Sequence, residues 1–427
     1  GSINGVTLEL YPFQWNPGTK QLTVNRVTQY AFDHAGNTTT QRPITKDRGI
    51  IAANRFLNWE LVSVHFPINW YFYEADFLFI YPSGYKDELQ PLIDQKKARG
   101  FAVTEMTTAT TGNTCTSIRT AINNWYNSRW GWTDKYALLV GDVNEIPLCT
   151  TSGGTPTDDL YASTNGDDLD EEIYLGRLSV DNETDAANQV SKILAYSDNP
   201  SLFCCYDDVL LVAHKEGAPG KYVGAHESVR TASYAVPPNF STLYGNAAGV
   251  DDADVSAAVN AGLGLVAYRG HGNSSAWTGW NLGDQYYNTF DVSGLANVVP
   301  RVPVLWSFAC NNNEIGVADS IGEYWMKSTS SRAVSHYGAT IPSYTTQNHE
   351  LDRRMFKAVY DLGLTTQSHA IQYAEDQMSS IVGSHNAWMY LLLGDPDMQI
   401  RRRNPLNITI KIPEWIALCK GPDCFLN

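Results

Sequence analysis

Long apolar runs are missing from this sequence: the longest, at residues 208–213 and 388–393, are strand-sized, far short of the roughly 20 apolar residues that cross a bilayer. Charge is scarce as well, at 18% of residues, and it leans acidic, with a formal net charge of −15. That balance argues against nucleic acid or an anionic membrane as partner, since both need basic stripes to displace counterions. The one basic cluster, Arg401 to Arg403, reads as solvated surface near a domain end. No Cys-x-x-Cys occurs, which removes zinc ribbons and thioredoxin-like redox sites. The nine histidines include no His-Glu-x-x-His, which disfavours metal catalysis. Tandem repeats and low-complexity tracts are absent. So is a charged-then-apolar leader; Gly1-Ser2 resembles the scar of a cleaved tag, so export cannot be read directly.

What is present is aromatic and apolar. With 43% hydrophobic residues, 24 Tyr and 12 Trp in 427 residues, the chain predicts an extensively packed globule of more than one domain, since single cores stop growing near 250 to 300 residues. Seven cysteines fit three disulfides and one free thiol, with Cys419 and Cys424 spaced to close a small loop. Adjacent Cys204 and Cys205 would strain if joined to each other.

Residues 1–72 read as β-rich, with alternating strands at 6–11 and 21–27 about a Pro17-Gly18 turn. From about residue 74, short apolar strands alternate with amphipathic helices, the signature of βαβ units and a mostly parallel sheet. Residues 73–205 carry strands near 77–81, 102–106, 136–140 and 172–179. Residues 206–402 carry strands near 208–213, 264–268, 302–308, 331–335 and 398–400, which predict a second parallel sheet. Pro303 belongs at the start of its strand, where no ladder hydrogen bond is lost. Residues 403–427 form a C-terminal extension.

Two strands of the second part end in reactive side chains, His271 in Tyr268-Arg-Gly-His-Gly272 and Cys310 in Phe308-Ala-Cys-Asn311. Ligands of open parallel sheets bind beyond the carboxyl ends of strands, so neighbouring strands would carry both to one crevice. A thiol needs a base to become thiolate near neutral pH. Gly272 lets backbone approach a reacting carbonyl and offer its N–H. Taken singly, each reads better as a buried cysteine and a hydrogen-bonded loop histidine; the pairing favours chemistry.

The segments Gly270-His-Gly-Asn-Ser-Ser-Ala-Trp277 and Phe308-Ala-Cys-Asn-Asn312 resemble the histidine and nucleophile segments of gingipain-type cysteine peptidases, of the caspase-like clan. Leu138-Leu-Val-Gly-Asp142, Ile146-Pro147, Asp159-Leu-Tyr161, Tyr174-Leu-Gly-Arg-Leu-Ser179 and Leu393-Gly-Asp-Pro-Asp397 extend the likeness in order from about residue 74 to 402. The resemblance implies a caspase-like three-layer α/β/α fold with mostly parallel sheets in two subdomains. It implies a secreted or cell-surface endopeptidase of protein or peptide substrates, with Cys310 as nucleophile, His271 as general acid and base, and Cys310 and Gly272 N–H groups as oxyanion donors. A carboxylate from the first part would orient His271: Glu172 first, Asp168 second. The acidic run holding Asp167, Asp168, Asp170, Glu171 and Glu172 reads equally as a solvated loop or a structural calcium site; catalysis itself needs no cofactor. Trp277 and Trp280 would wall a substrate pocket or pack in the core, and Glu183 would supply an acidic pocket floor. The β-rich start resembles the end of an inhibitory prodomain, with a processing region between Asp47 and Arg55, and 403–427 the start of an immunoglobulin-like module. Many relatives have Gly soon after the nucleophile, where this chain has Asn311-Asn-Asn-Glu314. Asn tolerates left-handed backbone, while Glu314 places an acid near the thiol. A transpeptidase with the same dyad and a non-catalytic interaction protein on this scaffold stay open beside the endopeptidase.

Overall fold

A computed structural model describes residues 75–402, except 130–132, 165, 168–170, 199–204, 218–220, 317 and 380–383, together with 13–16 and 21–24. The strand expected at 6–11, the processing region, Asp168, Cys204, Cys419, Cys424 and the C-terminal extension lie outside the described residues. The chain divides into two units. In the first, Phe13–Asn16 pairs antiparallel with Gln21–Val24 across the Pro17-Gly18 position.

The second unit is built on ten strands: β1 Asp76–Tyr81, β2 Ala102–Thr107, β3 Lys135–Val140, β4 Tyr174–Leu178, β5 Asp208–Ala213, β6 Asn239–Tyr244, β7 Leu265–Arg269, β8 Val304–Phe308, β9 Ser335–Ala339 and β10 Tyr390–Leu393. The helices used below are α1 Lys86–Ala98, α2 Cys115–Ser128, α3 Glu183–Asp198, α4 Lys221–Arg230, α5 Asp252–Ala261, α6 Ile321–Met326, α7 Thr345–Tyr360 and α8 Gln367–Ser379. Strands such as β5 and β8 are apolar on both faces over most of their length because helices cover both faces, as parallel sheets require. Leu210, Val212, Val266, Tyr268 and Leu305 pack on Val255 and Val259 of α5 and on Ile321 and Trp325 of α6. On the opposite face Trp306 meets Phe356 of α7 edge-on at 5.1 Å. In the first half Leu78, Ile80, Ala137 and Leu139 pack on Ile118, Ile122 and Trp125 of α2. The three-layer α/β/α arrangement is as expected.

The two parallel sheets expected are one, in the order β6-β5-β7-β8-β9-β10-β4-β3-β1-β2. The join is β10, which runs antiparallel to β9 and parallel to β4. The strands of the two halves therefore run in opposite directions. Carboxyl ends of β7 and β8 share an edge of the sheet with the amino ends of β4, β3 and β1.

Two expected strands are displaced. Arg332 takes a left-handed φ of 69°, and its Nη1 donates to Tyr324 O and Lys327 O at the end of α6, so β9 starts only at Ser335. Residues 398–400 contribute a single bridge, Gln399 to Thr366; the strand is β10, in the apolar run at 388–393.

Two devices fix the halves. Cys115, the first residue of α2, forms a disulfide with Cys149. Lys96 of α1, fully buried, donates to Asp395 at 2.5 Å and Asp397 at 2.9 Å in the turn after β10. Removing one partner of a buried ion pair leaves uncompensated charge. Lys96→Met is therefore expected to lower the unfolding free energy by about 3–5 kcal/mol, measured by urea denaturation, with a much smaller loss for the exposed Lys97→Met.

Candidate active site

Strands β7 and β8 lie side by side, with Arg269 opposite Phe308. Each strand ends at that pair, so His271 and Cys310, two residues further along each chain, emerge together at the carboxyl edge. Gly272 closes the approach: a Cβ there would stand 2.8 Å from Cys310 O and 2.6 Å from Asn312 Nδ2. Glycine is thus required because the histidine loop lies directly on the backbone of the cysteine loop.

Thr278 N–H donates to His271 O, and Gly272 is paired with Trp277 in the short hairpin that follows. Hydrogen-bonded and non-hydrogen-bonded pairs alternate along an antiparallel ladder. Gly272 falls in a non-hydrogen-bonded pair, so its N–H points away from the hairpin.

His271 Nε2 is in short contact with Glu216 Oε2 and lies 3.3 Å from the Tyr222 hydroxyl. Its Nδ1 carries no hydrogen bond among the described residues. Glu216 lies three residues beyond β5, the neighbour of β7 on the side away from β8. The hydrogen bond from His271, with a further one from Lys221 at 3.2 Å, holds its carboxyl below the usual range despite partial desolvation. His214 Nδ1 accepts the Glu216 backbone N–H at 2.9 Å. Burial and the neighbouring His271 push the His214 imidazole down to about 4, so it is neutral and keeps that acceptor at physiological pH.

The Cys310 thiol is free; its Sγ accepts from Ser343 N at 3.3 Å and lies 3.5 Å from Ser343 O. Asn311 adopts a left-handed φ of 61°, which Asn tolerates better than most residues, and its Nδ2 engages the Glu314 carboxylate at 2.8 Å. Buried Asn312 joins the two loops. Its Oδ1 accepts from Ser307 Oγ at 2.6 Å, and its Nδ2 donates to Asn273 O at 2.7 Å.

Other residues expected at the site lie elsewhere. Glu172 stands on the same edge, but β4 is four strands from β7, about 19 Å at the usual strand spacing; its carboxylate accepts from Thr164 N at 2.7 Å and Thr164 Oγ1 at 3.1 Å. Glu183 follows the carboxyl end of β4, at the opposite edge, where it faces Gly84 and Tyr85. Trp277 and Trp280 are fully buried, the first stacked on Tyr268 at 4.1 Å and the second donating Nε1–H to Asp252 at 2.6 Å. They are core residues rather than pocket walls. Asp167 is paired with Arg119 at 2.6 Å.

Sequence reading missed Glu216, Tyr222 and Asn312. The rule that found His271 and Cys310, chemistry beyond the carboxyl ends of strands, applied equally to β5 and makes Glu216 a candidate, but it does not say that β5 is the strand beside β7. His214, Glu216 and His271 also bring donor atoms within 4.8 Å of one another, a spacing suited to a metal. We favour the hydrogen-bonded reading, because the His214 Nδ1 lone pair is already occupied. Glu216→Gln keeps shape but loses the charge that stabilises imidazolium, so kcat/KM should fall by about 100-fold or more. Glu172→Gln in the same assay should stay within about twofold of the parent.

The sequence model of peptidase family C25 matches residues 71–401. Gingipain R2 of Porphyromonas gingivalis is 26% identical over 332 residues, covering 73% of this chain and 43% of the relative. Gingipain R1 of the same organism is 26% identical over 333 residues, covering 73% of this chain and 32% of the relative. The chain thus spans less than half the length of these curated relatives. Among solved structures, the Arg-specific cysteine proteinase gingipain R superposes with a TM-score of 0.70 at 21% identity, over 78% of this chain and 80% of that one. A complex of Porphyromonas gingivalis RgpB pro- and mature domains gives 0.69 at 21% identity, over 78% and 81%. These structural likenesses establish the fold.

Proposed function

The chain belongs to peptidase family C25, and on that premise we propose that it is a cysteine peptidase in which Cys310 is the nucleophile, His271 the general acid and base, and Glu216 the orienting carboxylate. The observation that carries this reading is the Glu216–His271 contact on a histidine loop whose Gly272 lies against Cys310. His271 takes the thiol proton, and the thiolate attacks the scissile carbonyl carbon. The outward N–H of Gly272, with that of Cys310, faces the oxyanion. The imidazolium then passes its proton to the leaving amine as the C–N bond breaks, leaving a thioester. Water, deprotonated by the same imidazole, hydrolyses the thioester and restores the thiol. Glu216 holds the ring through Nε2, which leaves Nδ1 for this proton traffic, and its charge stabilises the imidazolium.

Catalysis by these groups needs no cofactor. We place the protein outside the cytosol, at the cell surface or secreted, because the Cys115–Cys149 disulfide suits an oxidising compartment. Among the described residues no helix is long and apolar enough to cross a membrane. Residues 1–72 are proposed as the end of an inhibitory prodomain, in line with the pro- and mature-domain complex among the matched structures. The arginine specificity named for one relative is not carried over, because Glu183, the acid expected to confer it, lies at the far edge of the sheet.

Incubating the protein and its Cys310→Ala variant with a mixed peptide library under reducing conditions is expected to give cleavage by the first alone. Equal cleavage by both would sink the assignment. Ligated products on adding an amine-bearing peptide would instead identify acyl transfer to amines.

A further inference from the structure

Arg269, the last residue of β7, is a buried cation whose donors all point at the frame of the site. It is 1% exposed. Nη1 donates to Phe308 O at 2.6 Å, two residues before Cys310. Nη2 donates to Thr345 O at 2.7 Å, two residues after Ser343, whose N–H and carbonyl hold the thiol. Nε donates to His349 Nδ1 at 3.0 Å. The guanidinium carbon lies 4.9 Å from the centre of the Tyr222 ring, whose hydroxyl reaches His271. Burial pushes the His349 imidazole down to about 4, so Nδ1 remains an acceptor.

From these contacts we propose that Arg269 is a positioning residue that sets the nucleophile and the base in register with each other. The planar fork spans the end of the cysteine strand and the start of α7 at once, while its face fixes the tyrosine that abuts the histidine. Lysine, a compact point charge without a planar fork, cannot reproduce this. The nearby carboxylate is Asp352, fully buried, without a hydrogen bond and 3.4 Å from His226. Burial pushes the Asp352 carboxyl up to about 7, and the Arg269 charge opposes that rise.

The inference rests on the proposed roles of Cys310 and His271, and its test reads the thiol directly. The rate at which iodoacetamide alkylates Cys310 at one fixed pH, followed by peptide mass mapping, is compared between the parent, Arg269→Lys and the double variant Arg269→Met/Asp352→Leu. Removing both buried charges together avoids stranding either, and thermal unfolding establishes that each variant is folded. In the folded variants alkylation should be slower than in the parent by about tenfold, with kcat down about 100-fold, the size of a roughly 1 Å misplacement, and KM little changed. A folded variant with the parental alkylation rate and kcat would overturn the proposal. Should the double variant fail to fold, Arg269→Lys decides alone by the same criteria. A parent that alkylates faster than the variants yet cleaves nothing would count against the peptidase reading and leave the positioning test intact.

Discussion

Everything at the site depends on the register between β7 and β8. Arg269 faces Phe308 across the ladder, so the residues two positions on, His271 and Cys310, leave the sheet side by side. A slip of one residue would turn each of these side chains to the other face. Register alone does not hold a loop, and Asn312 supplies what the ladder cannot. From a fully buried position it ties the cysteine loop to Ser307 and to Asn273. The start of α6 is anchored on both loops as well, with Ile321 N–H on Ser274 O and Gly322 N–H on Asn312 O. Buried polar groups satisfied in this way permit few alternative arrangements.

The antiparallel seam at β10 has a second consequence. Because it reverses the first half, segments that precede strands there lie at the edge where chemistry occurs, and segments that follow strands lie opposite. Glu172 and Glu183 flank the same strand and are separated by its full length. Neither meets His271. The carboxylate that does comes from β5, whose polypeptide leaves the sheet beside β7 with His214 accepting the Glu216 N–H to shape the exit.

Buried charge in this protein is used to fasten loops. Arg177 binds Asp158 through two nitrogens, both at 2.7 Å, and also donates to Gly141 O and Ile146 O. Arg177 thereby satisfies the Gly141 carbonyl at the point where β3 stops. Lys192, whose amine is pushed well below its usual range by burial, acts as a hydrogen-bond donor to Met326 O at the end of α6.

Local pattern determined much of this protein. The apolar runs at 76–81, 135–140, 208–213 and 304–308 became strands because a sheet covered on both faces requires them, and Pro303 fell just outside its strand because it lacks the ladder N–H. Cys310, His271 and Gly272 were legible because residue type and strand-end position coincide. Tertiary structure alone decided three matters: that a run noted only for its length, 388–393, would be the strand joining two halves into one sheet; that Trp277 and Trp280 would be core; and that the carboxylate on His271 would be Glu216. Each depends on which strands become neighbours and in which direction they run, a choice made by long-range packing that no window of sequence contains.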